Sequence, residues 1–87
     1  MIQNILQLCC DQYEGVSVKD VVGKKRYQEI GTVRELCARM LRMEGLTLEQ
    51  IGAVINRDHS TVSYLLTKIA TKQMLDDMRA VLKKLQL

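Results

Sequence analysis

Proline, phenylalanine and tryptophan are all absent from this 87-residue chain, whose aromatic content is three tyrosines. That removes the usual material for sheet cores and for base-stacking platforms, so an all-helical domain is the first expectation. A chain of this length makes one small domain with one core, spanning residues 1–87. Hydrophobic residues are 47 % and charged residues 26 %, a balance that fits neither a disordered tail nor a membrane protein. No apolar run reaches membrane-spanning length, and Met1-Ile2-Gln3-Asn4-Ile5 lacks the basic and apolar regions of a signal peptide. Three cysteines, two of them adjacent, make a poor disulfide framework and suit a reducing compartment. A cytoplasmic protein is therefore expected.

Helical periodicity carries the rest of the reading. Ile2, Ile5, Leu6, Cys9, Cys10 and Tyr13 predict a helix over residues 2–13, closed by Gly15, with the cysteines as small core residues. Ser17-Val18-Lys19-Asp20 has the form of an N-cap, opening a short piece that Gly23 stops. Thr32-Val33-Arg34-Glu35 reads as a capping box that starts a third helix, with Val33, Leu36, Cys37, Met40 and Leu41 inward and Arg34, Glu35, Arg39 and Arg42 off the buried stripe. A second box at Thr47-Leu48-Glu49-Gln50 opens a helix closing at Asn56, and Asp58 caps the next one. From Thr71, Met74, Leu75, Met78, Val81, Leu82 and Leu85 form a last stripe, with Asp76 and Asp77 early and Lys83 and Lys84 late to match the helix dipole. No linker or repeat divides the chain.

Net charge is +3, but residues 24–42 hold six basic side chains against Glu29 and Glu35, a local +4. The basic character is concentrated, and Lys24-Lys25-Arg26 falls in a loop, whose plainer reading is a solvated turn and whose expected role is to reach phosphates or lay an arginine into an adjacent minor groove. A short capped helix, a turn of about three residues and a second capped helix outline a helix-turn-helix. At the opening of the second helix stand Arg57, Asp58, His59, Ser60 and Thr61. Asp accepts from cytosine amino groups, His, Ser and Thr bond bases or phosphates, and the Thr methyl meets the thymine methyl. The plainer reading is that Asp58 caps while Ser60 and Thr61 fill the first turn, and the two readings coexist.

Other chemistries fare worse. Asp58-His59-Ser60 spells a hydrolase triad, yet consecutive residues on one turn diverge, whereas a working His is bonded on opposite sides of its ring. Cys9, Cys10, Cys37 and His59 lack metal-ligand spacing, and no glycine-rich phosphate loop is present. No catalytic residue, metal or cofactor is expected, and the chain reads as a binding protein and not an enzyme.

The sequence resembles the carboxyl-terminal, origin-binding domain of the DnaA family of bacterial replication initiators. Residues 16–26, Val-Ser-Val-Lys-Asp-Val-Val-Gly-Lys-Lys-Arg, look like the stretch leading into that domain's basic loop. Arg57-Asp58-His59-Ser60-Thr61-Val62 looks like its Arg-Asp-His-(Thr/Ser)-Thr-Val signature, with Leu48-Glu49-Gln50-Ile51-Gly52 before it and Lys68-Ile69 after it. The resemblance implies a Trp-repressor-like helix-turn-helix that recognises a short double-stranded site, the DnaA box. It implies Arg26 as a minor-groove arginine, Arg34 as a backbone or base contact at the start of the third helix, and Asp58, His59, Ser60 and Thr61 as major-groove readers, with Lys68 beyond them. Two departures stand out. The family's Arg-Pro-Arg-Gln run is Thr32-Val33-Arg34-Glu35 here, trading one arginine away and a glutamine for an acid that repels phosphate. The two glycines of its turn are replaced by Asn56, which shortens the turn and shifts the expected tilt of the following helix.

The expected function is sequence-specific binding of double-stranded DNA in replication initiation or its regulation. The rival is a protein-interaction module or small regulator on the same fold, favoured by Glu29 and Glu35 beside the basic positions. Met1 and the self-contained helices suit a small protein of a phage, plasmid or other bacterial element better than an excised fragment. The last stripe either folds back on the first helix or pairs with a second copy; a monomer is expected, with a dimer through that helix as the alternative.

Overall fold

The computed structural model describes residues 1–86, among which lie six helices and no strand. They are α1 (Ile2–Asp11), α2 (Val18–Val22), α3 (Gln28–Met43), α4 (Leu48–Ile55), α5 (His59–Thr67) and α6 (Lys72–Leu85). The all-helical expectation holds.

Helix α3 is the axis of the domain and packs on each of the other five. Its Val33, Leu36, Cys37, Ala38, Met40 and Leu41 are buried, facing Ile5, Leu6, Cys9 and Cys10 of α1, Val21 of α2, Ile51 and Ile55 of α4, and Val62 and Leu65 of α5. Burying each large aliphatic side chain contributes roughly 1.5–3 kcal/mol, so a continuous α3 core stabilises everything laid around it. The three thiols are free core residues, and burial pushes that of Cys10 up to about 11.

Two helix starts show how side-chain caps act locally. Ser17 Oγ accepts from the Asp20 amide at 3.2 Å while Asp20 Oδ2 accepts from the Ser17 amide at 3.1 Å, as its sequence pattern predicts. Thr32 does not cap. Helix α3 begins four residues earlier at Gln28, behind Tyr27, and the Thr32 hydroxyl donates to the Gln28 carbonyl at 3.1 Å. The buried Ile30 explains the difference, because it extends the apolar stripe by one turn across Gly31 and anchors residues that read as loop. Helix α1 is shorter than predicted, and Tyr13 lies past its end, before Gly15 at φ +82°.

Helix α6 folds back on α1 and α3. Met74 and Val81 are buried, Met78, Leu82 and Leu85 pack partly buried against the core, and Leu75 stays exposed. Asp77 is not a surface charge tuned to a helix dipole. It is buried, accepting from the Tyr13 hydroxyl at 2.7 Å and the Gln73 amide at 2.9 Å. Burial and that bond push the Tyr13 phenol up to about 12. No helix among the described residues is long and apolar enough to cross a membrane.

Candidate nucleic-acid interface

Helices α4 and α5 are joined by Asn56, Arg57 and Asp58 alone. Helix α4 opens on the Thr47–Gln50 capping box, with bonds of 3.1 and 2.9 Å, and closes at Asn56 in the left-handed conformation, φ 58° and ψ 51°. Asparagine tolerates that region, which is how one residue turns the chain where the family uses glycines. Gly52 is what lets the corner close. A Cβ there would lie 2.4 Å from the Arg57 carbonyl oxygen, and the Arg57 amide donates to the Gly52 carbonyl at 2.9 Å.

Helix α5 presents its first turn to solvent: Asp58, His59, Ser60 and Thr61 are all exposed, as is Tyr64 one turn on. Asp58 caps the helix, accepting from the Ser60 amide at 3.0 Å and also from the Ser60 hydroxyl. The hydroxyl therefore points at the carboxylate and not at His59, whose Nδ1 is 3.7 Å from the other carboxylate oxygen. The Ser60 bonds, hydroxyl first, hold Asp58 below the usual carboxylate range. Since the folded state favours the charged form, the cap's contribution is complete above the ordinary aspartate pKa and is lost as pH falls through the lowered one.

The basic loop runs beside this turn. Lys24, Arg26, Asn56 and Arg57 line a cleft of about 320 Å³, and a second of about 400 Å³ is bordered by Arg26, Gln28, Arg34, Glu35, Leu65 and Lys68. Arg26 thus stands between the corner of the helix-turn-helix and the far end of α5. Lys25 is paired with Asp20 at 3.2 Å, whereas Lys24 and Arg26 form no ion pair among the described residues.

Three candidate residues are placed otherwise than expected. Arg34 is neither at the start of α3 nor on a basic outer face. It is buried two turns in, its Nε donating to the Val21 carbonyl at 2.7 Å and its Nη2 to those of Asp20, Gly23 and Lys25 at 3.1, 3.0 and 2.8 Å. Burial, followed by the neighbouring charges of Arg57 and Arg26, lowers its pKa. Arg57 is likewise turned inward, donating to the Gly23 carbonyl at 2.6 Å and the Asn56 carbonyl at 2.7 Å. Lys68 sits 3.9 Å from Glu35 and over the Tyr64 ring, with 5.3 Å to its centroid.

Sequence reasoning missed two positioning residues. Asn56 was read only for its backbone, yet its side-chain amide donates to the Val22 carbonyl at 3.0 Å. Arg39 bonds Glu35 at 2.9 Å and reaches the Lys68 carbonyl at 2.6 Å, tying the end of α5 to α3. The i,i+4 spacing of Glu35 and Arg39 was the available signal. Between Arg39 and Lys68, the Glu35 carboxylate is neutralised, so the acid at this position does not stand bare before a phosphate.

A family model of the bacterial dnaA protein helix-turn-helix matches residues 2–69, the stretch that carries the turn, the basic loop and α5. The chain belongs to this family. As a DnaA-type helix-turn-helix it is a DNA-binding domain. It is similar to the chromosomal replication initiator protein DnaA of Gloeobacter violaceus, with 34 % identity over 93 % of this chain and 19 % of the relative. The figures are 32 %, 97 % and 20 % for DnaA 2 of Protochlamydia amoebophila, and 37 %, 75 % and 15 % for DnaA of Picosynechococcus. The chain spans about a fifth or less of the length of these DnaA relatives. No solved structure matches it significantly.

Proposed function

We propose that this DnaA-type domain recognises a short duplex site of the DnaA-box kind by laying the first turn of α5 in the major groove while the basic loop grips the adjacent backbone or minor groove. It does so as a monomer in the cytoplasm, in replication initiation or its control, and carries out no reaction of its own. One observation carries the reading: Arg26 lines one cleft with Asn56 and Arg57 of the helix-turn-helix corner and another with Leu65 and Lys68 at the far end of α5, which puts the basic loop against the same helix-turn-helix whose first α5 turn is exposed. The internal packing of α6 supports the monomer, since all of its stripe but Leu75 packs into the core with α1 and α3. The rival protein-interaction reading leaned on Glu29 and Glu35, and Glu35 is already engaged by Arg39.

His59→Ala and Thr61→Ala are each expected to weaken binding to a preferred duplex by roughly 1–3 kcal/mol, and to weaken binding to a scrambled duplex much less. Competition titrations measure both. Equal losses on the two duplexes would show that these side chains only position the backbone.

Arg26→Ala is expected to reduce the slope of log K against log salt by about one unit if the guanidinium neutralises a phosphate. An arginine in a narrow minor groove instead loses more on A·T-rich than on G·C-rich flanks, because groove narrowing deepens the negative potential. Unchanged affinity for every duplex would leave the loop an ordinary solvated turn.

A further inference from the structure

Arg57 spends its charge on backbone, and that placement has a purpose that neither capping nor base contact accounts for. Asp20, Val21, Val22, Gly23 and Lys25, five carbonyls around the end of α2 and the root of the basic loop, are all met by side chains from α3 or from the corner of the helix-turn-helix. Gly23 is the point of convergence, accepting from Arg34 at 3.0 Å and from Arg57 at 2.6 Å. Arg57 joins the two parts directly: one terminal nitrogen holds the Asn56 carbonyl inside the turn, and the other holds the loop.

We propose that Arg57 is a positioning residue, a latch that fixes the basic loop to the helix-turn-helix so that Arg26 and the first turn of α5 meet DNA as one preorganised surface. The latch rests on the DNA-binding reading above but makes a separate claim, that Arg57 acts through the loop and not by touching a phosphate. Each terminal nitrogen of its guanidinium already donates one hydrogen bond within the protein, and its side chain is only partly exposed. Among the described residues, Lys24, Lys25 and Arg26 make no backbone hydrogen bond with their own amides, so side-chain donors to the neighbouring carbonyls are what orders this stretch. An unlatched loop must be ordered at the moment of binding, and that cost appears as lost affinity. Arg57 and Arg26 both oppose the charge on Arg34, so the latch holds positive charge together where a phosphate would relieve the repulsion.

The test uses the 87-residue chain, duplex DNA of mixed sequence at low salt, and the variants Arg57→Gln, Arg57→Lys, Arg26→Ala and Arg57→Gln/Arg26→Ala. Arg57→Gln is expected to weaken binding about three- to tenfold, and Arg57→Lys, which keeps the charge but loses the planar fork whose two nitrogens span the carbonyls, is expected to fall nearly as far. Arg26→Ala is expected to lose much less in the Arg57→Gln background than alone, because the loop no longer delivers Arg26 to the duplex. In the free protein, backbone order parameters of residues 24–26 measured by NMR relaxation are expected to drop below about 0.6 in Arg57→Gln, while those of α3 stay near 0.85. Full rescue by lysine, or losses that multiply in the double variant, would make Arg57 a phosphate ligand and overturn the latch. Loop order unchanged in Arg57→Gln would overturn it whether or not DNA binds. A wild-type chain that ignores every duplex would overturn the DNA reading itself, a failure that the relaxation measurement tells apart from failure of the latch.

Discussion

Gly52→Ala is expected to destabilise the domain by about 3 kcal/mol or more and to abolish duplex binding in whatever fraction remains folded. In an open helix the same change would add stability, because alanine exceeds glycine by about 1 kcal/mol in helix propensity. Here the new Cβ would lie 2.4 Å from the Arg57 carbonyl oxygen and 3.7 Å from the Asp58 carbonyl carbon, and both neighbours are backbone. No side chain can swing aside, so α4 and α5 must separate, and the first turn of α5 moves with them. Gly31 is the internal control: it lies in α3 with nothing within 4 Å of a would-be Cβ, and Gly31→Ala is expected to raise stability by roughly 0.5–1 kcal/mol. Urea unfolding of the two variants reads the contrast. Stabilisation by both would show that the corner is looser than the Gly52–Arg57 approach implies.

Arg34→Met is expected to lower stability by about 2–4 kcal/mol, seen as a lower urea midpoint. Methionine keeps an unbranched stem but removes the four Arg34 bonds to the backbone carbonyls of Asp20, Val21, Gly23 and Lys25, leaving Arg57 on Gly23 and the Gly23 amide on Asp20. Hydrogen bonds from a charged donor contribute roughly 1.5–3 kcal/mol each when buried, and partial access of water to the loop reduces the sum. The neighbouring Arg57 and Arg26 oppose the native charge on Arg34, but both of these reach solvent, which screens their repulsion to about 1 kcal/mol or less, and it does not reverse the sign. A variant of native stability that had lost DNA binding would place Arg34 on the DNA after all.

Much of this was legible in the residue order. Ser17, Thr47 and Asp58 each cap the helix that their pattern announces, because a cap bond depends on residues within three positions of each other. Thr32 and Glu35 show where such locality stops. Thr-x-x-Glu has the same form whether it opens a helix or sits in its second turn, and what decides here is Ile30 finding the core and Glu35 finding Arg39. The family resemblance points Arg34 at DNA, and its place at the opening of α5 does the same for Arg57. Their true partners are carbonyls 9 to 14 and 34 residues away in the chain, a pairing only the fold creates. Asp77 is the same case, 64 residues from Tyr13. The candidate readers at the start of α5 were legible because one short, exposed turn holds them all.

The central claim is that an exposed α5 turn and the basic loop that carries Lys24 and Arg26 together grip duplex DNA, and a salt series on that binding tests it most directly. Anisotropy titrations of the chain with a labelled duplex, run from about 50 to 200 mM salt, are expected to give log K falling linearly with log salt at a slope near −3 to −5, as for four or five neutralised phosphates. Affinity that is absent at the lowest salt, or that does not change across the series, would contradict the account.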